Sequence, residues 1–486
     1  MLNVKTDVIE KYINGRKCAI LGLGVSNAPL AEYLVEKGIS VSVYDKSSVE
    51  ALGEMGRYLL ARGVDFHTAG ENFSDIDGDI IFRSPGIRPD REGILRARER
   101  GAELASEIEL TLNLTPARTF AITGSDGKTT STTLTGKFLE KYSEMLGGKT
   151  YVGGNIGTPL LTKCPCMTED DFVVLELSSF QLMTVSHSPE NVAITNVSPN
   201  HLDWHYGMDE YIAAKKNIIG KQTRRIVTNR ECAITLDIAN EKSNKDMEIV
   251  LFSSSKCSFE EIFDGVSVNG TAIAIYEKEG CIIVDNGNVK TVALELSDIK
   301  IPGRHNIENY MTAIGLTYSY VPTEIYAEVA RSFFGVEHRL ELVRNFEGVD
   351  YYNSSIDSSP TRTAAALSAL ADRKIVLICG GYDKKIPYSP LAKSICEHGG
   401  VRVVCLTGAT GRKIEMEISE YISKCGAENA IDVSYRESFE EAVLLARQSA
   451  KQGDCVLLSP ASASFDHFKN FAERGNIFKD IVNSWQ

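Results

Sequence analysis

The chain has 486 residues, of which 43% are hydrophobic and 24% are charged, so it is long enough for several globular domains. Its formal net charge of −13 argues against a nonspecific nucleic-acid binder, because such proteins need a basic field. The 11 cysteines are odd in number and scattered along the chain, which argues against a disulfide framework.

The first ten residues are polar and mixed in charge, without the apolar core of a signal peptide. No later stretch reaches the roughly 18 apolar residues that a membrane-spanning helix needs. We therefore predict a cytoplasmic protein that has no membrane insertion and no nucleic-acid partner.

Short apolar runs alternate with helical patterns, which predicts an α/β fold built on largely parallel sheets. The runs form three series, and we predict three domains, 1–107, 108–336 and 337–486. Short alternating segments between Ile249 and Val292 predict an antiparallel excursion inside the middle domain. The predicted strands are Cys18 to Leu21, Val41 to Tyr44, Ile80 to Phe82, Thr119 to Thr123, Phe172 to Leu177, Val192 to Asn196, Val349 to Tyr352, Lys374 to Cys379, Val401 to Leu406 and Cys455 to Leu458.

The first series contains a glycine turn, Gly22 to Gly24, between a strand and a helix, and Asp45 closes the next strand. Such an aspartate is placed to accept a hydrogen bond from a ribose hydroxyl. Asn27 stands where the dinucleotide fingerprint has its third glycine, which disfavours a nicotinamide cofactor. A packing turn and a nucleotide site both remain open here.

The second series carries a stronger signal, because the strand ending at Thr123 runs through a glycine turn into a helical pattern. Backbone N–H groups of such a turn bind phosphate oxygens at the positive end of the helix dipole. The generic phosphate-loop pattern lacks its first glycine, since Ile122 stands there, so a structural glycine turn is the alternative. The turn consists of Gly124, Ser125, Asp126, Gly127, Lys128, Thr129 and Thr130.

Polar side chains follow the next two strands of this series. Glu176 lies near the end of its strand, before Ser178, and His201 follows the strand after it. The carboxyl ends of parallel strands border the ligand crevice, and a carboxylate there suits Mg²⁺. The alternatives are a helix-capping carboxylate and an ordinary polar histidine. Lys215, in a helical stretch, reads as solvated surface from composition alone.

Together these motifs resemble the Mur ligase family, the ATP-dependent amide ligases of bacterial cell-wall synthesis, and most closely its D-glutamate-adding members. The similar segments are Thr123 to Thr130, Gly153 to Gly157, Glu176 to Gln181, Gly303 to Asn306 with Asn309, His338 to Glu341, Gly380 to Lys384, and Ser459 to Asp466 continuing through Phe471.

The resemblance implies a Rossmann-like UDP-substrate domain, a P-loop ATPase-like central domain and a Rossmann-like amino-acid domain. It further implies a monomer that uses ATP and two Mg²⁺ ions to join D-glutamate to UDP-N-acetylmuramoyl-L-alanine through an acyl phosphate. Its implied catalytic residues are Lys128, Glu176, His201, carbamylated Lys215 and Arg339, of which Glu176, His201 and Lys215 join Thr129 as metal ligands. ATP would contact the turn Gly124 to Thr130 with Asn306, Asn309 and Arg339.

The resemblance also assigns the other two substrates. Val25, Ser26, Asp45, Ser84, Pro85, Gly86, Asn155 and Ser178 would bind the UDP-linked substrate. Ser358, Lys384, Ser464, Phe465 and Phe471 would bind D-glutamate.

One segment departs from the family. Many relatives read Asn-Asp-Ser-Lys-Ala-Thr-Asn where this chain has Asn353 to Ser359, so Ser354 and Ile356 replace an aspartate and a lysine. The alternatives to a D-glutamate ligase are another Mur ligase, a folylpolyglutamate synthase-like enzyme, and a nucleotide-binding regulator without turnover.

Overall fold

The structure is a computed structural model that describes residues 8–68, 73–202, 204–384, 386–425 and 431–486. It has three largely parallel sheets, which confirms the predicted α/β class. The chain divides into two compact units, one containing the residues up to Asp298 together with His305–Val329, the other Ile299–Arg304 with Ala330–Gln486. The domain boundaries at residues 107 and 336 stay predictions.

The first sheet has five parallel strands in the order β3-β2-β1-β4-β5. The strand β1 is buried along its whole length and packs between β2 and β4, as expected of a short apolar run in a parallel sheet. The elements are α1 (Val8–Ile13), β1 (Cys18–Leu21), α2 (Asn27–Glu36), β2 (Val41–Asp45), α3 (Gly53–Leu60), β3 (Asp65–Thr68), β4 (Ile80–Arg83), α4 (Glu92–Glu99), β5 (Glu103–Ala105) and α5 (Glu107–Leu114).

The second sheet has nine strands in the order β14-β13-β12-β11-β10-β9-β6-β8-β7, all in the first unit. Its elements are β6 (Arg118–Thr123), α6 (Lys128–Leu146), β7 (Thr150–Gly154), β8 (Phe172–Glu176), α7 (Ser179–Leu182), β9 (Asn191–Ile194), α8 (Met208–Lys216), β10 (Arg225–Asn229), α9 (Ala233–Lys242), β11 (Glu248–Ser253), α10 (Phe259–Phe263), β12 (Thr271–Lys278), β13 (Cys281–Asp285), β14 (Lys290–Glu295), α11 (Arg304–Thr317) and α12 (Thr323–Ser332). Short 3₁₀ helices span Leu161–Cys166 and Leu296–Asp298.

The predicted antiparallel excursion begins later than expected. The strand β11 pairs in parallel with both β10 and β12, and only β12, β13 and β14 pair antiparallel. The sequence prediction was wrong for β11 because this strand is buried over five of its six residues and continues the parallel core.

The third sheet has the order β15-β16-β20-β17-β18-β19 and is parallel except for β15, which pairs antiparallel with β16. Its elements are β15 (Glu341–Phe346), β16 (Val349–Asn353), α13 (Pro360–Ala369), β17 (Ile375–Gly380), α14 (Ser389–Glu397), β18 (Val401–Thr407), α15 (Gly408–Cys425), β19 (Asp432–Tyr435), α16 (Phe439–Ser449), β20 (Cys455–Leu458) and α17 (Phe471–Ser484). Across the described ranges, no helix is long and apolar enough to cross a membrane.

Candidate active site

The glycine turn Gly124 to Thr130, called the phosphate turn below, connects β6 to α6, as predicted. Two of its glycines have positive φ, 150° at Gly124 and 77° at Gly127. A Cβ atom at Gly124 would lie 1.9 Å from the hydroxyl of Thr195, and one at Gly127 would lie 2.5 Å from Oδ1 of Asn309. Both positions therefore require glycine, and the turn is fixed by its neighbours as well as by its own sequence.

Neighbouring loops hold the turn. The hydroxyl of Thr195 donates to the carbonyl of Asp126 at 2.6 Å, and Oδ1 of Asn196 accepts from the Asp126 amide at 3.0 Å. The hydroxyl of Ser125 donates to the carbonyl of Ser198 at 2.9 Å. A turn held in this way presents its remaining amides at the start of a 19-residue helix, where anions bind well.

Two lysines meet at this turn. Nζ of Lys128 donates to the carbonyls of Gly124 and Ser125 at 3.0 and 2.8 Å. Nζ of Lys215, from α8, donates to the same Gly124 carbonyl at 2.7 Å. Lys215 is buried, and burial together with the nearby charge of Lys128 lowers its pKa to about 6. The reading of Lys215 as solvated surface was wrong, because α8 faces the turn at this residue.

Glu176 ends β8, next to β6 in the sheet, and is buried. Its Oε1 accepts from the side-chain amide of Asn155 at 2.8 Å. Its Oε2 is buried and has no hydrogen-bond partner among the described residues. The close approach of β7 depends on Gly154, where a Cβ atom would lie 2.3 Å from the Glu176 carbonyl oxygen.

An unpartnered buried carboxylate oxygen beside a phosphate turn fits a hard cation such as Mg²⁺. The hydroxyl of Thr129, in the first turn of α6, is half-buried. No cluster of three or more His, Cys, Asp or Glu side chains able to hold a metal ion occurs among the described residues. An ion at Glu176 would therefore need other donors as well, such as hydroxyl or phosphate oxygens.

His201 follows β9 in an exposed loop and has a positive φ of 54°. Its ring packs edge-on against Phe180, with 5.0 Å between the ring centroids. Phe180 belongs to α7, which follows the strand that ends at Glu176. The structure thus brings His201 to the same edge of the sheet as Glu176.

Ser178 caps α7, and its hydroxyl and amide both bond to the side chain of Gln181. The adjacent Ser179 is buried, and its hydroxyl lies 2.9 Å from Nε2 of His205. Nδ1 of the same ring lies 3.1 Å from Glu210. Because Ser179 is buried, its hydroxyl is not an exposed nucleophile. The contacts among Ser179, His205 and Glu210 instead position the loop. Sequence reasoning missed it, since the three residues follow no local spacing.

Two arginines fix the first sheet's loop against this region. The buried guanidinium of Arg83 donates to the carbonyls of Pro85, Ile87 and Phe180 at 3.0, 2.6 and 2.9 Å. Burial lowers the Arg83 pKa to about 10. The guanidinium of Arg88 contacts Glu210 at 2.8 Å and lies over the ring of Trp204. Sequence reasoning also missed these two arginines, because each contacts a partner about 100 residues away in the sequence.

Six of the residues predicted to bind the UDP-linked substrate lie at the carboxyl ends of β1, β2 and β4, which are consecutive in the first sheet, with Asp45 as the last residue of β2. Both carboxylate oxygens of Asp45 accept backbone amides, from Leu23 at 2.7 Å and Ser47 at 2.8 Å, so the side chain also shapes the turns. The predicted residues Ser26, Ser84 and Pro85 are half-buried, whereas Val25 and Gly86 are exposed.

Asn306 and Asn309 lie on α11 and are buried. The side chain of Asn309 accepts from the hydroxyl of Ser131 at 3.2 Å and donates to Asn306 at 2.9 Å. These contacts support the start of α6 from behind the phosphate turn. Their predicted contact with ATP stays a prediction.

In the second unit, loops after the three adjacent strands β16, β20 and β17 carry the predicted amino-acid residues. Nζ of Lys384 donates to the carbonyl and hydroxyl of Ser358, both at 3.3 Å, so two of the five residues are in contact. Ser464 is buried, and Phe465 and Phe471 are exposed at 64% and 39%.

Arg339 is half-buried in a short bridge with Val336, and its predicted phosphate contact stays a prediction.

The departing segment is held from inside the second unit. The carboxylate of Asp357 is buried and accepts from the hydroxyl of Ser459 at 2.9 Å, and burial raises its pKa. The buried guanidinium of Arg474 donates to Ser355 and to the carbonyls of Ser462 and Ala463. Asp357 therefore faces the protein interior, and Arg474 is a further residue that the sequence did not reveal.

The geometry describes a candidate phosphate-binding turn on an α/β scaffold, and comparisons with known proteins identify the family. The family model of the Mur ligase middle domain matches residues 122–317, and that of the Mur ligase glutamate ligase domain matches residues 338–462. The UDP-N-acetylmuramoylalanine–D-glutamate ligase of Ruminiclostridium cellulolyticum is 46% identical over 486 residues, covering 99% of this chain and 100% of the relative. The enzyme of the same name from Acetivibrio thermocellus is 44% identical, covering 99% of both chains.

Solved structures share the fold. A UDP-N-acetylmuramate–alanine ligase from Thermotoga maritima superimposes with a TM-score of 0.56 at 19% identity, covering 96% of this chain and 99% of that chain. The chain belongs to the Mur ligase family.

Proposed function

We propose that this chain is an ATP-dependent ligase that joins D-glutamate to UDP-N-acetylmuramoyl-L-alanine during synthesis of peptidoglycan precursors. The observation that carries the proposal is the 46% identity, over essentially the whole length of both chains, to an enzyme named for that reaction. The phosphate turn and the bare oxygen of Glu176 support the same chemistry.

Within this function the three sheets take different substrates. Residues 1–107 form a Rossmann-like domain for the UDP-linked substrate, residues 108–336 a P-loop ATPase-like domain, and residues 337–486 a Rossmann-like domain for D-glutamate. The protein acts as a monomer in the cytoplasm, where ATP and the nucleotide-linked substrate are available.

The reaction has two steps. The alanyl carboxylate attacks the γ-phosphorus of ATP, and the bond to ADP breaks, which yields an acyl phosphate. The D-glutamate amine then attacks the acyl carbon, the C–N bond forms, a proton leaves the nitrogen, and phosphate departs. Negative charge develops on phosphate oxygens in both steps. Lys128, Arg339 and the amides of the turn Gly124 to Thr130 stabilise this charge.

Two Mg²⁺ ions would be held by Thr129, Glu176, His201 and modified Lys215, where they neutralise phosphate charge. Oxygen donors suit this ion, and Oε2 of Glu176 is buried and unpartnered among the described residues. Ser178 and Asn155 lie beside Glu176 and would orient the UDP-linked substrate.

Lys215 is the residue that we propose is carbamylated. Its amine is buried, and a lowered pKa leaves it neutral at pH 7. A neutral amine attacks CO₂ to form a carbamate and release a proton, which converts a cation into an oxygen ligand. Wild-type protein equilibrated with ¹³CO₂ should show a carbamate signal by ¹³C NMR. A Lys215→Arg variant should lack this signal.

The function is tested by measuring phosphate release and product mass with UDP-N-acetylmuramoyl-L-alanine, ATP and one amino acid at a time. We expect turnover with D-glutamate and at least about 100-fold less with L-glutamate, L-alanine or meso-diaminopimelate, and a Lys128→Ala variant should lose about 100-fold or more in kcat. Turnover with another amino acid would contradict the proposed specificity for D-glutamate but keep the ligase function. The absence of turnover with every amino acid would refute the proposed ligase function.

A further inference from the structure

Two cationic side chains bind to one short turn in the second unit. The turn is residues 354–359, after β16. The guanidinium of Arg362 donates to the carbonyl of Ile356 at 3.2 Å, and Nζ of Lys384 donates to the carbonyl of Ser358 at 3.3 Å. Both side chains are exposed. Each cation is thus held at the turn by its contacts to one residue and has further N–H donors available.

Neither cation forms an ion pair among the described residues, although the charge of the buried Asp357 acts on Arg362. In the part of the chain that the structure describes, no carboxylate lies within 4.0 Å of Arg362 or Lys384. The carboxylate of Asp357, in the turn itself, is buried and accepts from Ser459. Partial desolvation lowers the pKa of Lys384, and the charges of Arg362 and Arg474 lower it further, so several positive charges act on this surface.

The position of Arg362 is unfavourable for stability alone. It lies in the first turn of α13, which contains no acidic residue, and a cation there opposes the helix dipole. The hydrogen bond of its guanidinium is on an exposed surface, where such contacts contribute little. An arginine at this place is better explained by an anionic ligand than by stability.

We propose that Arg362 binds one carboxylate of the amino-acid substrate, beside Lys384, which binds the other. The inference rests on the proposed function. The fork of a guanidinium matches a carboxylate, and two cations on one turn match a small dicarboxylate. Arg362 brings its charge to the backbone of Ile356, the residue that replaces a lysine of many relatives. The exposed rings of Tyr382 and Phe465, 6.1 Å apart, lie on the loops after β17 and β20, the neighbouring strands.

The test compares Arg362→Ala and Arg362→Lys with the wild-type chain in steady-state ligation. We expect Arg362→Ala to raise KM for D-glutamate about 10- to 100-fold, with the KM values for ATP and the UDP-linked substrate changed less than about twofold. Arg362→Lys should recover part of the loss. Arg373→Ala is the matched control, because Arg373 pairs with Asp350 near the opposite ends of the strands.

The two monoamides of D-glutamate separate the carboxylates. Wild type should discriminate against both, and Arg362→Ala should lose the discrimination against one while keeping it against the other. A KM for D-glutamate within about threefold of wild type, or a parallel rise in all three KM values, would overturn the inference. An inactive wild type would instead refute the proposed function, so the two failures are distinguishable.

Discussion

The two oxygens of Glu176 have different surroundings. One accepts from Asn155 at 2.8 Å, and the other is buried without a partner among the described residues. A buried polar atom without a partner costs free energy, commonly about 1–3 kcal/mol. That cost points to a ligand that the folded chain is built to receive.

A Glu176→Gln variant tests this. The amide keeps the size of the side chain and offers one weak oxygen ligand, so we expect kcat to fall by about 100-fold or more while the metal-free protein is as stable as wild type or more stable. Ligation assays and urea unfolding in chelator measure the two effects. Glu169→Gln, at an exposed position, is the control. Retained activity would contradict the metal role.

At the scale of the element, the sequence predicted what local patterns encode. Apolar runs of three to six residues predicted ten strands of the three parallel cores, but β3, β5, β7, β10 and β19 were not predicted. The strand-end rule correctly placed Gly124, Glu176 and His201 at one edge of the second sheet. The sequence could not predict the burial of Lys215, because that depends on how α8 packs. Nor could it predict Arg83, Arg88 or His205, whose partners are distant in sequence or share no motif with them.

The loop after β4 and the start of α8 are joined by the pair Arg88–Glu210. The hydrogen bond from Arg88 lowers the pKa of Glu210 to about 2. A lowered carboxylate pKa stabilises the fold at pH values above the unfolded pKa, and this stability is lost as pH falls through the folded pKa.

We therefore expect Arg88→Gln to lower the free energy of unfolding at pH 7 by about 1–2 kcal/mol, and the difference from wild type to shrink as pH falls from about 4.5 toward 2. Urea unfolding followed by circular dichroism at several pH values measures it. Arg96→Gln, which removes an exposed pair with Glu92, should change stability by less than about 0.5 kcal/mol. A difference that is independent of pH would contradict the assignment.

At the scale of the whole molecule, the first two sheets share one compact unit and the third sheet belongs to another. The chain has two tryptophans, and one lies in each unit. Trp204 packs against Phe180 and Arg88, and Trp485 packs against Tyr351 and Arg447. Each unit also contains a deeply buried arginine that donates to neighbouring loops, Arg83 in the first and Arg474 in the second.

Because each unit has its own tryptophan and its own buried arginine, the stability of the two units can be measured separately. The single-tryptophan variants Trp485→Phe and Trp204→Phe report each unit separately by fluorescence during heating. Arg83→Met leaves the carbonyls of Pro85, Ile87 and Phe180 without their donor, which should cost about 2–4 kcal/mol and lower the Trp204 midpoint by about 3–6 °C. The Trp485 midpoint should stay within about 1 °C, and Arg474→Met should do the reverse, because its bonds to Ser355, Ser462 and Ala463 lie in the second unit. If both midpoints move together in either variant, the chain unfolds as one cooperative body, and the arginines do not stabilise the two units separately.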